Sequence, residues 1–89
     1  MATGVCTAVV DGGTFELRTG QRIRLANVHA PDLHTWEGFL AQGQLEELVL
    51  AKIVQYFVVE ESDGGAVADV WVGGLHVNEE MQHFGLVHS

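Results

Sequence analysis

The chain patterning predicts a mainly β fold of the α+β class, a small five-stranded barrel carrying two helices. Three observations lead there. Phe15, Leu17, Ile23 and Leu25 alternate with Glu16, Arg18, Arg22 and Arg24, the period of half-buried strands. Two further β-rich runs, residues 53–59 and 66–72, follow later in the chain. Between the two groups lies one helical segment opened by a good capping residue, Thr35. The 89 residues make a single domain, 1–89, whose core is thin for its surface.

Each element has a local reason. Residues 5–10 read as a first strand, ended by Asp11-Gly12-Gly13. The Thr19-Gly20 pair reads as a tight hairpin turn, because glycine supplies the positive φ that such turns require. Pro31 stops the ladder, having no N–H to donate. From Thr35 a helix is expected to run to about Leu50, with Glu37 beside its positive dipole end and Ala41, Leu45, Leu48 and Val49 on one face. Gly38 and Gly43 each weaken it by about 1 kcal/mol relative to alanine, so packing must hold it. Residues 60–65 read as a polar loop, and Gly73-Gly74 ends the last strand. Asn78 is the expected cap of a short final helix, with Gly85 as its stop. Three strands, a helix, two strands and a helix suit a partly open Greek-key barrel of five strands, the OB-fold, with one helix between the third and fourth strands and a short C-terminal helix.

Charge constrains partners. Four basic residues stand against twelve acidic ones, for a net charge of −8. Nucleic-acid affinity rests largely on cations that displace phosphate counterions, and a negative field repels a polyanion at long range. Nucleic-acid binding is therefore disfavoured. No apolar run is long enough for a bilayer, and the N-terminus has no signal-peptide pattern, so a cytoplasmic protein with no membrane association is expected. Cys6 stands alone in an apolar strand, which points to a buried small hydrophobe. Trp36, Phe39, Trp71 and Phe84 have no cations beside them for base stacking, so core or interface burial is expected.

Four collinear blocks carry a family resemblance: VVDGGTF, RIRLANVHAPD, GGAVADVWVGG and VNEEMQHFGL. Together they span residues 9 to 86, and the chain resembles a degenerate member of the staphylococcal nuclease-like (thermonuclease-like) family. The resemblance implies the OB-fold, without the family's third C-terminal helix. It also implies a site in which carboxylates after the first strand and in the turn around Pro31 hold calcium. A glutamate would activate water, and two arginines would stabilise charge on the phosphate. In this chain the first calcium carboxylate falls on Gly13 and the second on His29. The glutamate falls on Asp32, the second arginine falls on Gly65, and the first arginine is kept as Arg24. Asp11 matches the first aspartate of the motif.

Calcium wants several oxygen ligands with carboxylates supplying charge. Gly13 offers no side chain, and the imidazole of His29 suits zinc or copper better. The calcium site is thus expected to be lost, no cofactor is expected, and Arg24 and Asp32 are vestigial catalytic positions. Asp32 has a plainer alternative as a turn carboxylate ahead of Thr35, and Arg24 as an exposed strand arginine paired with Glu16. His29, Asp32 and His34 are a candidate three-ligand site for a transition metal, against the plainer reading of solvated loop side chains. The expected function is an inactive nuclease homologue working as a binding or assembly module. Its expected partner is another protein or a second copy, with a homodimer favoured. The alternative is a phosphodiester hydrolase with an altered metal site at His29, Asp32 and His34, anchored by Arg24. A third reading is weak nucleotide binding at Arg22 and Arg24.

Overall fold

A computed structural model describes residues 1–62 and 64–84, with the side chain of Ser62 left aside. The elements in chain order are β1 (Ala2–Asp11), β2 (Thr14–Leu17), β3 (Arg22–Leu25), α1 (Trp36–Val49), β4 (Ile53–Ser62), β5 (Gly65–Val72), β6 (Leu75–His76) and α2 (Val77–His83). The sheet runs β3-β2-β1-β4-β5-β6, and a parallel pairing of β3 with β5 closes it. The result is a closed five-stranded β-barrel, mostly β, with two short helices and β6 as a two-residue addition on β5.

The hairpin forms as its alternation demands. Glu16 stands opposite Arg22, Phe15 opposite Ile23 and Thr14 opposite Arg24. Gly20 takes φ 91° and its N–H donates to the Leu17 carbonyl at 2.8 Å. The apolar members, Phe15, Leu17, Ile23 and Leu25, all point into the barrel, where they join Val54, Val70, Val77 and Met81. Cys6 is fully buried among them. Burial pushes its thiol pKa above the ordinary value, partly offset by the contact with the Ala8 carbonyl.

Helix α1 begins as the sequence suggests: the Thr35 hydroxyl accepts from the Gly38 N–H at 3.1 Å. Its buried side consists of Gly38, Ala41, Leu45 and Val49, with Leu48 partly buried against the core. The Gln42 side chain donates to the Val9 carbonyl at 3.1 Å, tying the helix to β1.

Several expectations are corrected. The first strand starts at Ala2, because residues 2–5 pair with β4. Residues 60–62 are not loop. They extend β4, with Glu60 opposite Val67, Glu61 opposite Ala66 and Ser62 opposite Gly65. Pairing with β5 overrides the low strand preference of this polar run. The salt bridge of the hairpin belongs to Arg22, whose Nε lies 2.9 Å from Glu16, and not to Arg24. The cap of α2 is His76, without a side-chain capping bond. Asn78 sits inside that helix, 1% exposed, with its side chain bonded to the backbone of Val70, Ala26 and Ala68. Gly85, the expected stop, lies outside the described residues. Trp36 and Phe39 are exposed, not core, whereas Phe84 packs partly buried against the core and Trp71 stacks on His76 at a centroid distance of 4.9 Å. No helix among the described residues is long and apolar enough to cross a membrane.

Candidate functional site

Two turns and a strand build the site. Asp11 ends β1, and its Oδ1 accepts from the Gly13 N–H at 2.8 Å, holding the Gly12-Gly13 turn over the barrel mouth. Arg24 alternates outward on β3. Asn27 then takes a left-handed φ of 60°, which asparagine tolerates, and turns the chain so that His29 comes back beside Arg24. Its carbonyl is held by Gln82 of α2 at 3.0 Å.

Two clefts result. One of about 200 Å³ is lined by Asp11, Gly13, Thr14, Arg24, Val28, His29 and Ala30. The other, of about 370 Å³, is lined by Arg24, Asn27, His29, Glu60 and Asp69 together with apolar wall residues. Arg24 and His29 belong to both. The structure therefore brings Gly13, Arg24 and His29 together, with Asp11 beside them.

Asp32 and His34 line neither cleft. The Asp32 carboxylate accepts the His34 N–H at 2.8 Å, and the Asp32 carbonyl accepts from the Thr35 hydroxyl at 2.6 Å. Asp32 thus works in the bend that leads into α1. His29, Asp32 and His34 are not gathered as ligands: among the described residues no group of three or more His, Cys, Asp or Glu side chains is placed to hold a metal ion.

The two glycines at expected site positions differ physically. A Cβ on Gly13 would meet Val28 O at 3.6 Å and Ala30 Cβ at 3.8 Å, ordinary contacts, so a carboxylate side chain can start there. A Cβ on Gly65 would lie 2.5 Å from the Arg22 carbonyl oxygen. The parallel β3–β5 seam, with Arg22 opposite Gly65, brings the backbones too close for any side chain. An arginine cannot stand at Gly65 in this barrel.

Thr14, Asn27, Glu60 and Asp69 are lining residues that sequence reasoning missed. Thr14 was within reach, since the hairpin register sets it opposite Arg24. Glu60 and Asp69 arrive from β4 and β5 and change the local charge: one guanidinium now faces three carboxylates, Asp11, Glu60 and Asp69. Arg24 makes no ion pair within 4.0 Å among the described residues. Asp69 is engaged with His76 Nε2 at 3.2 Å. A phosphate approaching Arg24 meets carboxylates on either side, an unfavourable arrangement for a polyanion.

Neither a protein-family model nor a curated protein matches the sequence.

Proposed function

We propose that the chain is a catalytically silent relative of the staphylococcal nuclease-like family, its barrel an OB-fold, serving as a binding or assembly module. The observation that carries this reading is the smaller cleft. It keeps Asp11 and Arg24 but has Gly13 and His29 where the family resemblance puts metal carboxylates. The strand order closed by β3 and β5, and the position of α1 between β3 and β4 in the chain, support the OB-fold assignment. Loss of one preorganised charge donor costs on the order of 100- to 1,000-fold in rate. Two metal ligands and the second arginine are altered together, and groups that act as a unit fail as a unit.

The test is a nuclease assay with a panel of calcium, manganese and zinc, run on the native protein and on a Gly13→Asp/His29→Asp variant. Gly65→Arg is left out because the seam has no room for it. The native protein is expected to leave DNA intact. The variant is expected to bind calcium and to show weak cutting, still on the order of 100-fold or more below an enzyme with both arginines. Calcium-dependent cutting by the native protein would refute the reading. Zinc- or manganese-dependent cutting that disappears in His29→Ala would replace it with the altered-metal hydrolase. In that case Asp32 and His34 would have to swing from the bend toward His29 and Arg24.

For assembly, the proposed partner surface is the outer face of β4. Ile53 is 68% and Phe57 57% exposed, with Val59 beyond them. Val5 pairs with Ile53 and Trp71 with Gln55 on the flanking strands. Residues 53–59 carry no charge. A chain of net charge −8 repels its own copy, so self-association selects a face of low charge, on which Asp69, opposite Phe57, is already engaged with His76. A two-fold dimer is the commonest closed form. Sedimentation is expected to show a monomer–dimer equilibrium at high micromolar concentration. It should strengthen as salt screens the repulsion and should vanish in Phe57→Glu. A strict monomer throughout would count against it.

A further inference from the structure

Helix α1 is apolar on two opposite sides. Gly38, Ala41, Leu45 and Val49 face the barrel. At about 100° per residue, Trp36, Phe39 and Leu40 fall on the far side, and Leu33 precedes them in the bend. Trp36 and Phe39 are each 67% exposed, and Leu33 and Leu40 are also open to solvent. Gly43 lies in the same stripe, one turn beyond Phe39 and Leu40, with open space where its side chain would be. The stripe therefore has three large walls and a notch. A helix apolar all round is normally covered all round, and an exposed patch rimmed by polar groups marks an interaction site.

Charge selects the occupant. Helix α1 contains Glu37, Glu46 and Glu47 and no lysine or arginine. By the same helical spacing Glu37 flanks one side of the stripe, Glu46 the other, and Glu47 its C-terminal end. The cations of the chain lie off the stripe: Arg18, Arg22 and Arg24 belong to the β2–β3 hairpin, and Lys52 sits at the C-terminal end of α1, donating to the Glu47 carbonyl at 2.8 Å. A second copy laid on this helix about a two-fold axis would set glutamates against glutamates, and its net charge of −8 against an equal one. An anionic membrane surface is repelled for the same reason. We propose that the outer face of α1 is the docking site for a cationic amphipathic segment of another protein, its apolar anchors at helical spacing seated between Trp36, Phe39 and Leu40 and its lysines or arginines beside Glu37, Glu46 and Glu47. This is helix-in-groove recognition. It names the partner class for the assembly reading and rests on that reading for a partner to exist.

The probe is a synthetic leucine–lysine peptide with apolar residues at i, i+3, i+4 and i+7, titrated while tryptophan emission is followed. Two control peptides replace its lysines by glutamates or its leucines by serines, and zwitterionic vesicles form a fourth arm. The expected result is a saturable blue shift that is absent in Trp36→Phe and weakens about tenfold from low to high salt as the pairs are screened. Phe39→Ser/Leu40→Ser should weaken binding by more than about tenfold, as loss of central anchors does, with an unchanged circular dichroism spectrum because both residues are exposed. No shift with the lysine peptide, or an equal shift with the glutamate peptide, overturns the proposal. A blue shift on raising protein concentration alone would assign the face to a second copy, and a shift with vesicles alone would assign it to a membrane; either overturns it. The sheet-face dimer is read separately through Phe57→Glu, so a dimer that ignores the peptide sinks this inference alone. Peptide binding by a strict monomer leaves it standing without the dimer.

Discussion

Replacing Asn78 by leucine is expected to lower stability by about 2–5 kcal/mol, enough to leave much of the protein unfolded at 37 °C. Asn78 is 1% exposed. Its Oδ1 accepts the Val70 N–H at 2.8 Å, and its Nδ2 donates to the Ala26 and Ala68 carbonyls, both at 3.0 Å. Leucine keeps the branching of asparagine at Cγ but is bulkier, so crowding of the closed core adds to the cost. The larger part lies in the backbone groups left behind. Ala68 keeps the Ala26 N–H as a donor at 2.9 Å, whereas the Val70 N–H and the Ala26 carbonyl lose the partner that Asn78 supplied. Each stranded buried group costs about 1–3 kcal/mol, and a small domain has only about 5–15 kcal/mol in total. Denaturant midpoints at constant m-value measure the loss. A loss below about 1 kcal/mol would show that water or backbone movement repairs the gap.

Asn78→Asp sharpens the same prediction by its sign with pH. The new carboxyl can still accept from Val70, but its second oxygen faces two carbonyls. Burial and those dipoles hold its folded pKa above the unfolded value of about 3.9. A group with a raised folded pKa supports the fold while protonated, below its unfolded pKa, and loses that support as pH rises through the folded pKa. Relative to the native protein, this variant should therefore lose stability between pH 4 and pH 7, opposite to the behaviour of a salt-bridged carboxylate. A flat difference across that range would mean that solvent reaches the site.

The elements that could be read from the sequence are those with local causes. The hairpin alternation, the Thr19-Gly20 turn and the Thr35 cap all involve partners within ten residues, and all are found. Asn78 resisted reading because its role is not local. Followed by Glu79 and Glu80 it has the look of a cap, yet one of its partners, Ala26, lies 52 residues away. Residues 60–62 failed for the related reason that two glutamates and a serine favour a loop until a neighbouring strand is present to pair with them. The assignment of Glu16 to Arg24 missed by one strand period, because the tight turn sets Glu16 opposite Arg22.

At the site, Gly13, Arg24 and His29 were legible through the motif resemblance, and the fold places them in one cleft. Asp32 and His34 share the motif but not the cleft, because the carboxylate is committed to the backbone of its own bend. The carboxylates that decide the electrostatics, Glu60 and Asp69, had no sequence signal. They come to line the same cleft as Arg24 because β5 pairs with both β4 and β3. The same seam explains Gly65, which reads as a lost arginine in the sequence and as a steric requirement in the structure.

Gly38→Ala and Gly43→Ala are expected to change stability in opposite directions, although both put the best helix former in place of a poor one within α1. Propensity alone favours each by about 1 kcal/mol. At Gly43 nothing lies within 4 Å of the new methyl group, so the variant should gain about 0.5–1 kcal/mol. At Gly38 the methyl group would overlap the Asp32 carbonyl oxygen and crowd the Leu33 Cα at 2.9 Å. All of these are backbone atoms, so no side-chain rotation relieves the clash. The carbonyl cannot simply retreat, since it accepts from both the Thr35 N–H and the Thr35 hydroxyl, and that hydroxyl caps the helix. Overpacking of this kind costs about 1–3 kcal/mol and sometimes more, and loss of the cap adds about 1 kcal/mol. Set against the propensity gain, they leave an expected net loss of about 1–3 kcal/mol. Thermal and denaturant midpoints of the two variants provide the measurement. If Gly38→Ala proves as stabilising as Gly43→Ala, the bend from Asp32 to Thr35 yields without cost. The position of Trp36 relative to the barrel, on which the docking face depends, would then no longer be set by the packing of α1.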